Sequence, residues 1–229
     1  MKATATHTIE QFAAGPFRTN TYTLRLGEGG KVLVIDPAFS HYTRDTSAFL
    51  HFLEKDSLLP VAVFLTHGHF DHVAGLAPLK EAFPDVKIFI HKEDAHLVGK
   101  AGDESQRAAL RQVGFMQFLP AVSSLPEADF LVDEGDDLAT ISNIASLAGW
   151  RVLHTPGHTL GSCCLYSEVH KTLFSGDTIF YRSWGRTDLI GGDDETLQKS
   201  LRRLYSEIPQ DTKVYPGHDY FAFCLGENL

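Results

Sequence analysis

Three histidines and one aspartate lie close together in the segment Thr-His-Gly-His-Phe-Asp-His, residues 66–72. An apolar, β-branched run precedes them and predicts a buried strand. His67 and His69 are two positions apart, so in extended backbone their side chains point the same way, while Asp71 and His72 fall where the chain turns. Imidazole and carboxylate ligands suit Zn(II), Fe(II) or Mn(II) better than soft metals. The segment therefore predicts a metal site, with Zn(II) favoured, that reaches two neighbouring ions.

Three later apolar runs also end at possible metal ligands. His158 lies in Thr-Pro-Gly-His-Thr, Asp177 in Ser-Gly-Asp-Thr and His218 in Tyr-Pro-Gly-His. A lone histidine after Pro-Gly is more often a turn residue, but four strand ends that all carry ligands predict one shared site. Two ions at such a site would share a hydroxide, lower its pKa and polarise the carbonyl that it attacks. Hydrolysis is therefore the expected chemistry, with Asp71 expected to orient the hydroxide and to assist a poor leaving group.

The elements that must position these residues alternate between strands and helices. Besides the run before residue 66, strands are expected over 6–12, 20–26, 31–35, 87–90, 144–147, 150–153, 162–166, 171–174 and 213–215. Helices are expected over 42–55, 78–83, 104–113 and 195–208. This alternation favours the α/β class. A single domain is expected over residues 1–226, with residues 227–229 as a possible tag remnant.

Composition restricts the classes of partner. The 229 residues are 43% hydrophobic and 21% charged, which is ordinary for one globular domain, and the net charge of −9 with no basic run argues against nucleic acid. The N-terminus lacks an apolar signal segment and no run of eighteen apolar residues occurs, so no membrane association is expected. The adjacent Cys163 and Cys164 do not suggest a disulfide framework. A reducing, cytoplasmic location is expected, and nothing in the sequence indicates the oligomeric state.

Taken in order, these motifs resemble those of the metallo-β-lactamase superfamily over nearly the whole chain. The resemblance implies a four-layer αββα sandwich with the site at one edge of two facing sheets. It also implies a binuclear centre in which one ion is held by His67, His69 and His158, the other by Asp71, His72 and His218, with Asp177 as the bridge. Because all seven residues are present, a metal-binding module without activity is the least expected alternative.

Residues 177–193 are similar to the glyoxalase II-like branch of this superfamily, through Gly-Arg-Thr-Asp-Leu and the following Gly-Gly-Asp. That resemblance implies a hydroxyacylglutathione hydrolase-like enzyme acting on small-molecule thioesters such as S-lactoylglutathione. Full-length members carry a C-terminal helical domain that binds glutathione, whereas this sequence ends about ten residues after His218. The chain thus resembles the shorter bacterial type. The alternatives are a persulfide dioxygenase with one iron, or a lactonase or β-lactamase.

The substrate contacts stay open at this point. Arg186 either binds a substrate carboxylate or, as favoured, pairs with a nearby aspartate and locks its loop. Tyr181 and Trp184 either line a substrate pocket or serve the fold. Residues 94–126, interrupted by Gly and Pro, are a candidate segment for covering the site. Within them Phe115, Met116 and Phe118 either line an apolar pocket or, as favoured, pack in the core.

Two further residues lie near the motifs. Asp36 ends a predicted strand and is either a plain turn residue or a support for the metal ligands. His154 precedes Thr-Pro-Gly-His and either supports the site or is simply packed.

Overall fold

A computed structural model describes residues 8–27 and 29–228 and contains two facing β-sheets with helices on their outer sides. The strands are β1 (Ile9–Ala14), β2 (Thr19–Arg25), β3 (Lys31–Ile35), β4 (Leu59–Phe64), β5 (Lys87–His91), β6 (Phe130–Val132), β7 (Arg151–His154), β8 (Cys163–Ser167), β9 (Thr172–Gly176), β10 (Ile179–Phe180), β11 (Ser183–Trp184), β12 (Lys213–Pro216) and β13 (Phe223–Cys224). The α-helices are α1 (Thr46–Lys55), α2 (Phe70–Val73), α3 (Leu76–Ala82), α4 (Gly99–Val113), α5 (Leu138–Ser142) and α6 (Asp194–Glu207). Short 3₁₀ helices cover Lys92–Leu97, Met116–Ala121, Ala145–Leu147 and Leu225–Asn228.

The first sheet has six strands in the order β1-β2-β3-β4-β5-β6, antiparallel up to β3 and parallel from β3 onwards. The second has the order β13-β12-β9-β8-β7, in which β9 and β12 are parallel. Parallel strands carry their carboxyl ends to the same edge of a sheet. The residues that follow β3, β4 and β5 are therefore gathered at one edge of the first sheet, and those that follow β9 and β12 at one edge of the second.

Three apolar clusters separate four layers. Large side chains such as Phe64, Trp150 and Phe174 fill the space between the two sheets. A second cluster packs α1 and α3 on the first sheet, and a third packs α6 on the second sheet through Leu197, Leu201 and Leu204. The α/β class and the αββα sandwich are confirmed.

The expected strand at 144–147 is wrong. Residues Ala145–Leu147 form a 3₁₀ helix, because Asn143 takes a left-handed conformation (φ 58°) that ends α5 and turns the chain sharply. The acidic segment before it contains a strand that the sequence analysis did not identify, β6, whose three residues pair in parallel with β5. A three-residue edge strand is too short for its periodicity to be recognised.

None of the helices in residues 8–27 and 29–228 combines the length and apolarity needed to cross a membrane. All three cysteines are free thiols. Asn228 accepts a hydrogen bond from the Arg182 backbone N–H and donates one to the Phe180 carbonyl, whereas residue 229 lies outside the described ranges. The suggestion that residues 227–229 are a tag remnant stays a prediction.

Candidate metal centre

The seven predicted ligands meet at the edge of the sandwich. One potential ligand atom from each member of a group lies within 4.8 Å of the others in three overlapping groups. These groups are the first triad, His67, His69 and His158; the second triad, Asp71, His72 and His218; and a bridging group, His67, His72 and Asp177. The loop after β4 supplies members of both triads, so one short segment serves two adjacent positions.

Hydrogen bonds on Nδ1 turn two of the imidazoles so that Nε2 faces the cluster. His158 Nδ1 lies 2.7 Å from the Arg186 carbonyl oxygen, which only accepts, so Nδ1 carries the proton. His72 Nδ1 lies 2.9 Å from Oδ2 of the Asp36 carboxylate and donates to it. In both residues Nε2 thereby faces the cluster. An imidazole that is protonated on Nδ1 and directs its Nε2 lone pair at the site is the form that binds metal, so a proton on His72 Nε2 must leave before a cation binds there.

His67 reaches the same state through Thr66. The Thr66 hydroxyl donates to Oδ2 of Asp36 at 2.7 Å, so it accepts from His67 Nδ1 at 3.1 Å. Asp36 also accepts the Thr66 backbone N–H at 2.8 Å. Asp36 is buried and has a left-handed φ of 48°, a strained backbone for a non-glycine residue, which is typical of functional sites. Of the two alternatives for Asp36, the structure supports that of a residue that orients ligands.

Four buried polar atoms in the cluster have no hydrogen-bond partner among the described residues: Nε2 of His67, His72 and His158, and Oδ1 of Asp177. His72 Nε2 and Asp177 Oδ1 are 3.3 Å apart, close enough for attraction but without the alignment of a hydrogen bond. Unsatisfied buried polar atoms are rare and require an explanation. Nitrogen and oxygen atoms from His and Asp are what Zn(II) and similar divalent ions bind, so the residues present fit such ions.

The charge states of the first triad and the carboxylates also suit cations. Burial, reinforced by neighbouring imidazoles, lowers the pKa of His67 and brings that of His69 to about 3, so both are neutral. Burial alone would raise the pKa of Asp71 and of Asp177. The adjacent His72 and other imidazoles outweigh it, holding the pKa of Asp71 at about 2 and that of Asp177 well below its usual value.

The second triad differs in its protonation. Burial would lower the pKa of His72, but Asp177, Asp71 and Asp36 outweigh it and raise that pKa well above its usual value. The pKa of His218 is also raised, because the hydrogen bond to Asp71 overcomes burial. Without a cation, protons therefore balance the carboxylates at the second triad, and a cation must displace them.

Asp94 joins the two loops of the first triad and was not identified from the sequence. Its buried carboxylate accepts hydrogen bonds from the backbone N–H of Gly68 (2.9 Å), the hydroxyl of Thr159 (2.8 Å) and the backbone N–H of Gly161 (2.8 Å). Gly68 stands between His67 and His69, and Thr159 follows His158. Asp94 comes shortly after β5, as Asp36 comes directly after β3. Its position after a parallel strand is the one feature of the sequence that could have indicated its role.

Strand β2 holds the loop of His218 in place. The Tyr22 hydroxyl and the Asn20 side-chain amide both donate to the Pro216 carbonyl, at 2.7 and 3.1 Å, and the Asn20 backbone N–H donates to the Gly217 carbonyl. Thr19 donates to Asp71 Oδ2 at 3.2 Å. These partners lie about 50 to 200 positions away in sequence, which is why no local pattern indicated them.

Two motif glycines are required by close packing. A Cβ atom at Gly217 would lie 2.2 Å from Asp177 Oδ1 and 2.6 Å from His72 Cε1. A Cβ at Gly185, which begins Gly-Arg-Thr-Asp, would meet the Asp177 carbonyl oxygen and would lie 3.1 Å from His158 Nδ1. Glycine at these positions lets the loops approach the ligands closely enough to complete the cluster.

A cavity of about 490 Å³ opens beside the cluster. Five of the seven predicted ligands line its floor: His69, Asp71, His158, Asp177 and His218. Its walls are mainly aromatic and aliphatic, formed by Phe17, Phe70, Ala109, Val113, Phe115, Phe180 and Leu189. Helix α4 and Phe115 belong to residues 94–126, so part of that segment does border the site.

The predicted substrate residues are placed unevenly. Arg186 lines the cavity, and its guanidinium forms a bidentate pair with Asp188, each bond 2.7 Å long. Within the described chain, the residues that line the cavity do not include Tyr181, which packs on Tyr220 and Phe223, or Trp184, which is largely exposed. Phe180 lines the cavity instead. The sequence did not indicate this, because a strand of two residues is too short to show which of its side chains faces inward.

His154 is one of the residues left open by the sequence, and it lies outside the cluster. Its ring stacks on the buried ring of His91, with centroids 3.9 Å apart, and its Nε2 bonds the Leu160 carbonyl. It is therefore a packed residue at the ends of β5 and β7.

Comparison with known proteins agrees with this geometry. Residues 14–218 match the family profile described as the Metallo-beta-lactamase superfamily. An uncharacterized protein of Aquifex aeolicus is 35% identical over 96% of this chain and 92% of its own length. The probable metallo-hydrolase YqgX of Bacillus subtilis is 31% identical over 89% and 86%. A hydroxyacylglutathione hydrolase of Tolumonas auensis is 29% identical over 92% of this chain and 67% of its own length.

Solved structures show the same fold. The B3 metallo-beta-lactamase BLEG-1 superposes with a TM-score of 0.79 and 29% identity, over 96% of this chain and 95% of its own. TTHA1623, determined in a di-iron-bound form, has a TM-score of 0.74 and 33% identity, over 95% and 96%. ETHE1 from Myxococcus xanthus shares the fold at 24% identity, with a TM-score of 0.70 over 96% and 80%. The chain belongs to the metallo-β-lactamase superfamily.

Proposed function

We propose that this protein is a metal-dependent hydrolase that cleaves thioesters of the hydroxyacylglutathione type, such as S-lactoylglutathione. The observation that carries the proposal is the group of four buried, unpartnered ligand atoms on His67, His72, His158 and Asp177, on one side of an open cavity. A purely structural polar cluster would satisfy these atoms internally. The four unpartnered atoms are therefore available to bind cations, next to a cavity that can hold a substrate.

In this proposal the first triad would hold one divalent ion and the second triad another, and Asp177 would supply a carboxylate oxygen to the same centre. Bound ions of this kind supply a Lewis acid and lower the pKa of water towards neutrality. We propose Zn(II) as the metal, with Fe(II) or Mn(II) as alternatives. Because TTHA1623 was determined in a di-iron-bound form, the metal analysis must also measure iron.

The residues of the chain have separate tasks. Asp71, ionised and facing the cavity, accepts a proton from the attacking water and fixes its direction. Thr19 donates to Asp71 and Asp36 orients His72, so both act through a ligand. Phe17, Phe70 and Phe115 exclude bulk water from the carbonyl. The water oxygen bonds to the carbonyl carbon, the carbon–sulfur bond breaks and the thiolate departs. Asp71 then releases its proton to solvent, and the thiolate takes up a proton from solvent.

Two observations favour thioesters as the substrates. The hydroxyacylglutathione hydrolase of Tolumonas auensis is 29% identical over most of this chain, and the loop Gly185-Arg186-Thr187-Asp188-Leu189 borders the cavity. A thiolate is also a good leaving group, so the reaction needs no strong acid. Because the carboxyls of Asp71 and Asp177 are both ionised, neither serves as that acid at neutral pH.

Two competing activities are separated by direct measurement. A persulfide dioxygenase needs one iron and consumes oxygen, whereas the second triad is complete here. β-Lactam or lactone hydrolysis uses the same centre, and the likeness to BLEG-1 at 29% identity makes it the principal rival.

The test is metal analysis of protein purified without added metal, followed by turnover of thioester, lactone, β-lactam and glutathione persulfide substrates with and without chelator. We expect two ions per chain and a kcat/KM highest for a thioester. Asp71→Asn should reduce kcat by at least about a hundredfold, while His51→Ala, an exposed histidine on α1, should match the wild type. Undiminished thioester turnover after chelation, or a β-lactam preferred over every thioester, would overturn the proposal.

A further inference from the structure

A second cavity, of about 290 Å³, lies beside the one that contains the metal ligands. His69, Ala109 and Leu189 line both cavities, so the two adjoin at the candidate centre. The second cavity extends between α4 and the segment that precedes α6. None of the functional assignments made above uses it.

The wall of this cavity is mostly apolar. Its aliphatic members are Leu97, Ala108, Ala109, Leu160, Leu189 and Ile190. The Asp94 carboxylate also borders it, but the three hydrogen bonds described above occupy that group. The other polar side chains that line it are those of His69, His96, Ser105, Gln112 and Thr159. Neither lysine nor arginine is among the described residues of the wall, so the cavity offers no such cation to pair with the carboxylates of a peptide such as glutathione.

The cavity is held open before any ligand enters. Gln112 of α4 donates to the Asp188 carbonyl at 3.2 Å and accepts from the Ile190 N–H at 3.1 Å, which ties the loop 185–191 to the helix. The small side chains of Ala108 and Ala109 on α4 leave space between this helix and the loop. A wall that is already ordered loses little entropy on binding.

The mouth of the cavity exposes apolar surface. Leu160 is 54% exposed and Ile190 is 57% exposed, and both are large aliphatic residues on the same rim. An apolar chain laid between them would remove their surface from water, which is the main favourable term in such binding. The chain would then run inward past Ala109 towards the metal ligands.

We propose, on the basis of the thioester hydrolase function above, that this cavity binds a linear aliphatic chain of the substrate. The preferred substrates are then thioesters that carry an aliphatic chain on the acyl group or on the thiol, rather than S-lactoylglutathione itself. The carbonyl lies over the metal ligands while the chain occupies the space beside His69. Ala108 and Ala109 determine how long that chain can be.

The test compares two series of thioesters. One lengthens the acyl group, from S-lactoylglutathione to S-(2-hydroxyoctanoyl)glutathione, and the other lengthens the thiol, from S-lactoyl-ethanethiol to S-lactoyl-octanethiol. In one of the series we expect kcat/KM to rise by about three- to fourfold for each added methylene, until the cavity is full. The series that shows this rise identifies whether the acyl group or the thiol places its aliphatic chain in the cavity.

Variants locate the effect. Ala108→Leu, within the second cavity only, and Ala109→Leu, at its junction with the first, should flatten the dependence on chain length. Ala101→Leu makes the same change at an exposed position of α4 that lines neither cavity, and it should keep the wild-type slope. Each slope compares substrates on one preparation, so a partly misfolded variant does not alter it.

The outcomes separate the two proposals. Thioester turnover with no dependence on chain length in either series would refute the aliphatic site and leave the proposed function standing. An unchanged slope in Ala108→Leu and Ala109→Leu would also refute it. An absence of thioester turnover by the metal-loaded wild type would overturn the proposed function, and the aliphatic site with it.

Discussion

Replacement of Asp94 by alanine should weaken metal binding at the first triad while sparing the second. The carboxylate is 1% exposed and accepts three hydrogen bonds, from Gly68, Thr159 and Gly161. Its removal leaves those donors buried without a partner, and breaking a buried charged network costs about 3–5 kcal/mol. The loops that carry His67, His69 and His158 lose their common support, and loss of such a support typically costs 10- to 100-fold in metal affinity.

Asp94→Asn offers a graded comparison. An asparagine oxygen in the place of Oδ2 keeps the bonds from Gly68 and Thr159, but its amide group then faces the Gly161 N–H as a second donor. We therefore expect an intermediate loss. Glu93→Gln, an exposed neighbour with the same change in charge, is the matched control and should behave as wild type.

The assay is a competition titration of Zn(II) against a chromophoric chelator, which resolves two affinities per chain, together with urea unfolding of the metal-free protein. The reasoning predicts one weakened site and one unchanged site. Equal weakening of both sites, or wild-type affinities in Asp94→Ala despite its lower stability, would refute the assignment of Asp94 to the first triad.

Three further predictions concern the second triad and its packing. Asp36→Asn removes the carboxylate that orients His72 and should lower metal affinity at the second triad by about 10- to 100-fold, with a smaller loss at the first triad, where Asp36 acts on His67 only through the Thr66 hydroxyl; the same titration measures both affinities. Gly217→Ala places a methyl group 2.2 Å from Asp177 Oδ1, so we expect fewer than two ions per chain by elemental analysis, and retention of two would contradict the packing. Because the pKa values of His72 and His218 are raised, binding at the second triad must release protons, and its affinity should rise as pH increases from 6 to 8. Titration calorimetry in buffers of different ionisation enthalpy measures that release, and an affinity independent of pH would exclude it.

The metal ligands could be predicted from sequence because each follows a run of apolar residues that marks a buried strand. The apolar run ends where β4 ends, and His67 and His69 come next, so pattern and position coincide. The alternation of strands and helices predicted the α/β class, whereas the four αββα layers were implied by the resemblance to the metallo-β-lactamase superfamily. Helix α6 was located to within one residue at each end, because its apolar face packs on the second sheet.

The supports of the ligands could not be predicted in the same way. Asp94 and Asn20 act through hydrogen bonds to residues 26 to 199 positions away, and a carboxylate or amide carries no local signal of such a partner. The conformations near Asn143 depend on a single left-handed residue, which outweighed the apolar composition of the next segment. Which aromatic residue near 180–184 faces the cavity depends on the direction of a two-residue strand.

The bonds from Tyr22 and Asn20 to the loop of His218 have a consequence for the order of folding. During synthesis the loop after β4 emerges early, yet the first triad has all of its members only when residue 158 has been made, and the second only when residue 218 has been made. A single domain generally folds as a unit. Strand β2, near the start of the chain, therefore holds the loop of His218 only after β12 has been made and has joined the second sheet. A cation is consequently bound by the second triad only once the last strands have joined the fold.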